Sequence, residues 1–270
     1  MSRKFSASII LLLLCAFLFA APAAAAEEPD WRFELTPYLW LISVDADSTV
    51  GNYTANVDAS FSDIWDNFDV LAGAARFEAW RGKWGFIFDG MYIKVDQDAT
   101  VQTQGYGDIE AKPDVRLNFI ELAAAYEAYS TDLSSQEKGP RLYLQPYLGV
   151  RYSYLKEELN LQPTGGGDSQ NFGGSTSWWD PLVGGRVILS FNEAWQLGLR
   201  GDIGGFGIGD AAELTWQVAL GANWRFVDWA ALRFGYQWYY TDYSNGESGS
   251  NALAFDGTLQ GPWLGLTFYF

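Results

Sequence analysis

Two pairs of aspartates are the residues of this chain with the clearest potential for chemistry. Asp45 and Asp47 form one Asp-x-Asp pair, and Asp96 and Asp98 form the other. A spacing of two places both carboxylates of a pair on the same face of a β-strand. Carboxylate oxygens are hard ligands, so each pair could share a divalent cation. The alternative is a solvated acidic loop edge, and neither pair is followed by the glycine of an EF-hand loop.

Few other motifs carry chemistry. The sequence contains no histidine and a single cysteine, Cys15. Imidazole is the commonest general base, and a neighbouring base is what activates a serine or cysteine nucleophile. The glycine-rich stretch at residues 204–209 lacks the Lys-Ser or Lys-Thr that ends a phosphate-binding loop. We therefore expect no enzyme and no cofactor, and an enzyme that uses carboxylates alone is the remaining alternative.

The N-terminus has the pattern of a secretory signal peptide. Arg3 and Lys4 precede an apolar run at residues 9–21, and an Ala-x-Ala site ends at Ala26, just before two glutamates. This order predicts cleavage after Ala26. The alternative is an uncleaved membrane anchor, against which the acidic pair after the site argues. The chain then divides into a signal peptide at residues 1–26 and one domain at residues 27–270.

The domain at residues 27–270 is strongly acidic. Of 17 basic residues, Arg3 and Lys4 lie in the signal, so 15 face 33 acidic ones, a net charge of −18. Binding of nucleic acid requires a basic surface, so we exclude nucleic acid as a partner. Cys15 also lies in the signal, so no disulfide forms within the domain. Aromatic residues make up 17% of the chain, which is high for a soluble domain.

Alternation of apolar and polar residues predicts β-strands throughout this domain. Every even position from Leu214 to Phe226 is apolar, while the odd positions include Thr215, Gln217 and Arg225. Such strands exceed the roughly 5–6 residues of globular sheets and fit the roughly 9–11 residues that cross a membrane. Outside the signal, no apolar run reaches the roughly 20 residues of a membrane helix. The ten segments with this pattern lie at residues 31–43, 70–81, 84–96, 115–129, 141–157, 179–191, 195–205, 214–226, 229–243 and 261–270.

The connections between these segments alternate between long and short. Residues 192–194 and 227–228 are tight turns, whereas residues 45–69 and 97–114 are long and rich in Gly, Asp, Ser and Asn. An even-numbered barrel with both termini in the periplasm predicts this order. We therefore predict an all-β, transmembrane, antiparallel up-and-down β-barrel of ten strands, with short periplasmic turns and longer acidic extracellular loops. A hairpin near residues 53–59 would raise the count to twelve.

The segment at residues 115–129 has apolar residues on both faces, so the pattern does not show which face points outward. Ile120 and Leu122 oppose Glu121, but Val115 and Phe119 carry the other parity. A bulge near Phe119 would place all the apolar residues on one face. Alternatively, the residues before Ile120 point into the lumen.

The positions opposite the apolar faces carry charges of both signs. Buried charges must be paired or hydrated. Barrels of about eight strands are filled by side chains, whereas those with 16 or more leave an aqueous pore. Ten strands therefore favour a narrow or plugged lumen. The predicted lumen charges are Arg76, Glu78, Asp89, Glu121, Arg151, Asp180, Arg186, Arg200, Asp202, Arg225 and Arg233, together with Glu34.

The last ten residues, GPWLGLTFYF, carry the most specific pattern. Leu264, Leu266, Phe268 and Phe270 fall on one face of a strand. A terminal Phe after such alternation resembles the signal by which bacterial outer-membrane β-barrels are recognised for assembly. With the stretches FEAWRGKWGFIFDG and GDIGGFGIG, this pattern makes the chain similar to small outer-membrane barrels of Gram-negative bacteria. The resemblance is to the broad group of OmpA-like and OmpW-like barrels.

The resemblance implies a location, partners and a role. It implies residence in the bacterial outer membrane, contact with its lipid and lipopolysaccharide, and assembly by the barrel-assembly machinery. Barrel phospholipases, lipid A deacylases and omptin proteases use a histidine, which this chain lacks. We therefore expect an envelope-structural or surface-binding role, in which acidic loops reach lipopolysaccharide phosphates through divalent cations. The alternative is a small channel that prefers cations.

The terminal pattern predicts that Phe270 is needed for assembly. Deleting Phe270, or replacing it by Asp, should lower the yield of membrane-inserted protein because the assembly signal loses its last aromatic residue. The yield is measured after expression, from the fraction of protein whose migration changes on heating. An unchanged yield from both variants would contradict the assignment of this segment.

Overall fold

The fold comes from a computed structural model that describes residues 30–59, 70–96, 99–103, 107–135, 139–163 and 170–270. The signal peptide predicted at residues 1–26 and the candidate ligand Asp98 lie outside the described residues. Trp31–Phe270 forms one compact unit. Within the described ranges, no helix is long and apolar enough to cross a membrane.

Nearly all the regular structure is antiparallel β-strand. A single turn of 3-10 helix, Gly249–Asn251, interrupts the strands among the described residues. The strands are β1 Trp31–Trp40, β2 Ser43–Val50, β3 Tyr53–Ala59, β4 Val70–Arg81, β5 Trp84–Asp96, β6 Ala99–Thr103, β7 Gly107–Tyr126, β8 Tyr129–Asp132, β9 Arg141–Pro163, β10 Gln170–Ser190, β11 Trp195–Gly205, β12 Leu214–Val227, β13 Ala230–Ser244 and β14 Leu253–Tyr269.

Ten of these strands form a closed barrel. Their order is β1, β4, β5, β7, β9, β10, β11, β12, β13 and β14, and β1 pairs with β14 to complete the ring. At this closure the backbones of Phe33 and Phe270 exchange two hydrogen bonds, with N···O distances of 2.9 and 3.1 Å. Closure satisfies the backbone groups that an open sheet edge would expose to lipid. The prediction of a ten-strand transmembrane barrel is confirmed, and the twelve-strand alternative is wrong.

The remaining strands lengthen the wall, mostly at one end. β2 pairs with the first half of β14 and, across a turn at Gly51 with a φ of +64°, with β3. β6 pairs with the start of β7, and β9 and β10 reach 23 and 21 residues. We call this end the loop end, and we call the opposite end, with the tight turns before β5, β11 and β13, the turn end.

Parts of the predicted long loops are therefore strand. The stretches at residues 45–69, 97–114 and 159–178 contain β2, β3, β6 and the loop-end halves of β7, β9 and β10. In β2 the outward-facing residues Asp45 and Asp47 are polar, so this strand lacks the apolar outer face from which the other strands were predicted. The backbone pairing continues all the same, because ladder hydrogen bonds do not depend on which side chains face outward.

The outer surface carries an apolar band, as a barrel in lipid requires. Leu220 and Phe234 lie in this band and expose 44% and 39% of their surface. Toward the loop end the outward residues become polar, as the exposed Asp45 and Glu158 illustrate. Exposed aromatic residues border the band near the tight turns, namely Trp84, Phe191, Trp195, Trp224, Phe226 and Trp229.

The interior is apolar toward the loop end. Val115 and Phe119 belong to this region, because the inward parity of β7 runs without a bulge from Val115 to Ala125. Of the two alternatives for this segment, the lumen-facing one is correct. We call the buried apolar residues of this region the apolar plug: Trp40, Ile42, Val44, Ala46, Val57, Ile93, Val115, Leu117, Phe119, Leu155, Trp178, Ala212, Tyr239, Tyr243, Phe255 and Leu259.

Two aromatic residues of the plug differ from expectation. Tryptophan and tyrosine are enriched where a membrane meets water, and Trp40 and Tyr239 lie toward the loop end of their strands, so a place at the membrane surface would be expected for both. Both instead point inward and are 2% and 3% exposed. The Trp40 indole N–H donates to the carbonyl of Gly261 at 3.1 Å, so its polar atom is satisfied inside the barrel.

Arginine substitutions on the outer face test where the membrane lies. Leu220→Arg and Phe234→Arg should each lower the free energy of unfolding by about 2–4 kcal/mol, because a charge near the midplane must be desolvated. Thr258→Arg also faces outward, but it lies beyond the band opposite Asp45 and should cost about 0–1 kcal/mol. Reversible unfolding in lipid vesicles measures all three. Equal costs at the three positions would show that the band is placed wrongly.

Candidate functional site

Five charged residues lie opposite one another on five adjacent strands. The register pairs Arg76 with Asp89, Asp89 with Glu121, Glu121 with Arg151, and Arg151 with Asp180. Paired positions share a face of the sheet, so the five side chains form one row inside the barrel. The sequence predicted that each residue faces the lumen, but it did not predict the row. Alternation shows on which face of a strand a residue lies, but not which residues of two neighbouring strands pair.

Arginine side chains link this row to residues of β11. Arg151 Nη2 donates to Glu121 Oε2 at 2.9 Å and to Asp202 Oδ1 at 2.8 Å. Arg200 donates to Glu121 and lies 3.7 Å from Asp89. Asp202 and Arg200 belong to β11, which does not neighbour β5 or β7 in the sheet. These ion pairs therefore connect strands that are not neighbours in the sheet.

Neutral polar groups complete the hydrogen bonding of this cluster. The Tyr38 hydroxyl donates to Asp89 Oδ1 at 3.0 Å. The Tyr147 hydroxyl accepts from Arg200 Nε at 2.8 Å. Gln217 Oε1 accepts from Arg151 Nη2 at 3.1 Å. None of the three was predicted as a site residue, because a tyrosine or glutamine at an inward position gives no sequence signal of its own.

Two further ion pairs lie nearer the turn end. Arg186 Nη1 donates to Glu78 Oε1 at 2.8 Å, and Arg233 Nη2 donates to Glu34 Oε2 at 2.6 Å. The Trp80 indole N–H also donates to Glu78, at 3.0 Å. Five arginines and five carboxylates are thus matched. We call these ten residues the charged network: Arg76, Arg151, Arg186, Arg200, Arg233, Glu34, Glu78, Asp89, Glu121 and Asp202.

Two predicted lumen charges lie inside the barrel but outside the charged network. Asp180 accepts hydrogen bonds from the Trp178 indole at 2.9 Å and from the Ala212 amide at 2.8 Å. It therefore anchors the connection between β11 and β12. The guanidinium of Arg225 lies over the Tyr269 ring, 4.0 Å from its centre.

The charged network and the apolar plug fill most of the lumen. Between them the described residues enclose a cavity of about 20 Å³, lined by Trp40 and Arg151 among others. A second gap, beside Tyr38 and Trp263, is about 30 Å³. Each has room for only one to three waters, since one water needs about 10–15 Å³.

A larger cavity lies at the turn end. Its volume is about 240 Å³, and its rim includes the exposed Arg32 at the start of β1. Trp80, Ile188 and Trp263 contribute apolar walls. We call this space the turn-end cavity.

The first predicted metal pair lies on the outer face of β2. Asp45 and Asp47 are both exposed, and Asp47 is the register partner of Asp256, which pairs in turn with Asp242. We call Asp45, Asp47, Asp242 and Asp256 the acidic strip. Burial and then repulsion by Asp256 and Glu213 raise the pKa of Asp242. The strip therefore carries close like charges just beyond the apolar band.

The structure does not bring metal ligands together by itself. Among the described residues, no three His, Cys, Asp or Glu side chains converge as a metal-binding group. Asp96 ends β5, and Asp98 lies outside the described residues. The cation sites at both Asp-x-Asp pairs stay predictions, and a cation at Asp45 and Asp47 would need further oxygen ligands from elsewhere.

One buried carboxyl group stands apart from the charged network. Glu157, on the loop-end part of β9, is 1% exposed and accepts one hydrogen bond, from Ser48 Oγ at 2.7 Å. Its Oε2 has no partner among the described residues. Its outward neighbours Lys156 and Glu158 form an ion pair, so this part of the wall lies outside the lipid. Burial raises the pKa of Glu157 from 4.5 to about 8.

Comparison with known proteins identifies the fold. No family model and no curated protein sequence matches the chain. Among solved structures, the outer-membrane protease OmpT of Escherichia coli matches 93% of this chain and 99% of its own, with a TM-score of 0.51 and 10% identity. Neisserial surface protein A matches 91% of this chain and all of its own at a TM-score of 0.34 and 12% identity. The OmpT match shows that the fold is that of bacterial outer-membrane β-barrels.

The comparison also corrects one expectation. The absence of histidine led to the prediction that this chain is not an enzyme, and that prediction is wrong. The OmpT structure is a protease built on a barrel of the same fold, so a barrel of this kind does not exclude enzymatic activity. At 10% identity the likeness shows the fold alone, and no protease activity is transferred to this chain.

The charged network predicts an uneven cost of removing arginines. Arg151→Leu should lower the free energy of unfolding by about 3–5 kcal/mol, because Glu121 and Asp202 stay buried and each loses a charged partner. Arg141→Leu removes an exposed arginine that lies 3.5 Å from Asp132, and should cost about 0–1 kcal/mol. Unfolding of both variants in the same detergent provides the comparison. A cost for Arg151→Leu as small as that for Arg141→Leu would contradict the network.

Glu157 predicts a pH dependence of stability. Its pKa is raised in the folded state, so folding takes up a proton between pH 4.5 and 8, and stability falls as the pH rises through this window. The slope should be at most about 1.4 kcal/mol per pH unit. Glu157→Gln should flatten it, whereas the exposed control Glu158→Gln should not. Thermal unfolding between pH 5 and 8 tests this, and identical profiles for the two variants would refute it.

Proposed function

We propose that this protein is a sealed outer-membrane barrel with an envelope-structural and surface-binding role. The observation that carries the proposal is the filled lumen, in which the apolar plug and the charged network occupy the interior. Barrels that conduct solutes keep a water-filled interior. A filled barrel instead offers its environment a rigid wall and an exposed loop end.

The proposal includes an orientation in the membrane. Short turns face the periplasm and long connections face outward in bacterial barrels. The turn end would then face the periplasm, and the loop end the cell exterior. The apolar outer band and the fold support residence in the outer membrane. The resemblance to OmpA-like and OmpW-like barrels belongs to the proposal as well, since no family model matches the chain.

The acidic strip supplies a surface for lipopolysaccharide. Its carboxylates face outward beyond the apolar band, where lipid headgroups lie in the proposed orientation. Like charges on opposite strands repel, so Asp47, Asp242 and Asp256 favour a cation beside them. Divalent cations take six or more oxygen ligands, which strip carboxylates and lipopolysaccharide phosphates can supply together. The strip would thus hold lipopolysaccharide against the barrel wall.

The alternative function, a small cation-preferring channel, has less support. It needs a continuous water path, whereas the described residues leave a gap of about 20 Å³ between the plug and the network and one of about 30 Å³ beside Tyr38. The acidic loop end that would attract cations is equally well explained by the surface role.

Binding of lipopolysaccharide in the presence of Mg²⁺ tests the proposed surface role. The double variant Asp47→Asn, Asp256→Asn should bind about tenfold more weakly, because cation affinity follows the number of charged ligands. The matched control Asp132→Asn, Asp228→Asn removes two exposed acids at the turn end and should bind as the unaltered protein does. EDTA should abolish the difference. Equal binding by both double variants would overturn the role of the strip.

A further inference from the structure

The turn-end cavity has a wall that is rich in cations. Five arginines and two glutamates line it, although the protein as a whole carries a net charge of −16. The lining charges are Arg32, Arg76, Arg186, Arg200, Arg233, Glu34 and Glu127. A concave site with one dominant sign of charge and low-dielectric walls concentrates ions of the opposite sign.

The carboxylates that balance three of these arginines lie behind the wall. Glu78, Asp89 and Glu121 pair with Arg186, Arg76 and Arg200, and none of the three carboxylates lines the cavity. The ion pairs therefore hold the arginines in place while their other edges border the cavity. Guanidinium groups fixed in this way suit carboxylate and phosphate, whose oxygens match the planar fork of arginine.

Several donors on the lining side chains lack a partner. Arg186 Nε, Arg200 Nη1 and Trp263 Nε1 make no hydrogen bond within the described part of the chain. The Arg200 side chain is 5% exposed, and its Nη1 lies 3.7 Å from Asp89, which is too long for a hydrogen bond. Buried donors without acceptors are costly, so the carboxylates behind the wall leave these lining side chains only partly satisfied.

The size and the apolar walls of the cavity indicate the kind of anion. The volume of about 240 Å³ far exceeds the need of a single water. Trp80, Trp263 and Ile188 offer apolar surface beside the arginines. We propose that the turn-end cavity binds a small organic anion, with a carboxylate or phosphate group held by the arginines and an apolar body packed against the tryptophans. In the proposed orientation this ligand enters from the periplasm.

Calorimetric titration of the full domain in an uncharged detergent tests this site. Benzoate and phenyl phosphate serve as probes, and phenol is the neutral control of matched shape. We expect at least one anion to bind, phenol to bind about tenfold more weakly, and the affinity for the anion to fall between 0.01 and 0.1 M salt. The comparison of benzoate with phenyl phosphate tells which oxyanion the site prefers. Phenol binding as tightly as both anions, or no binding of either anion, would overturn the proposal.

Variants locate the binding. Arg32→Gln and Arg186→Gln should each weaken anion binding about tenfold by removing a charged donor, and Ala219→Phe should weaken it by filling the cavity. Arg141→Gln removes an exposed arginine outside the cavity and should leave affinity unchanged. If Arg186→Gln fails to fold, Arg32→Gln and Ala219→Phe decide the question. Equal affinity in Arg32→Gln, Ala219→Phe and Arg141→Gln would refute the site, whatever becomes of the lipopolysaccharide test.

Discussion

A charge enclosed in a barrel must meet an opposite charge, and the rest of this structure depends on how that requirement is met. Ten ionised side chains converge in the lumen, and each arginine reaches a carboxylate. Removing one partner from such a pair leaves the other buried and unpaired, which costs far more than an exposed pair contributes. Because Arg151 and Arg200 bind carboxylates on strands that are not their neighbours, the same contacts that neutralise the charges also hold these strands together.

This central constraint divides the barrel into three levels. Toward the loop end, side chains without charge form the apolar plug, and the buried Glu157 lies there outside the charged network. In the middle, the charged network excludes most water. Toward the turn end, arginines fixed by carboxylates behind them border an open cavity. The outer face has its own division, from an apolar band to an acidic strip, and the two proposed binding surfaces lie at opposite ends of the molecule.

Sequence patterns gave the barrel but not its interior arrangement. Alternation over residues such as Leu214 to Phe226 predicts the strands, the face on which each residue lies and the ten-strand ring. Each strand shows this pattern by itself, because successive side chains point to opposite faces and only one face contacts lipid. Register is a property of two strands, so the row from Arg76 to Asp180 could not be read from one chain segment. The inward facing of Trp40 and Tyr239 could not be predicted from their type, because an aromatic residue fits a membrane surface or a packed lumen equally well. The turn-end cavity needs residues from most of the strands and has no local signature.

The sealed lumen is the central claim, and ion conductance tests it most directly. Purified protein is inserted into a planar lipid bilayer, and current is recorded at low and at high salt while insertion is verified by migration before and after heating. A filled barrel should give no stable current steps above the bare membrane at either salt concentration. Reproducible steps with a defined reversal potential in a salt gradient would contradict the account, because they require a continuous water path through the network and the plug.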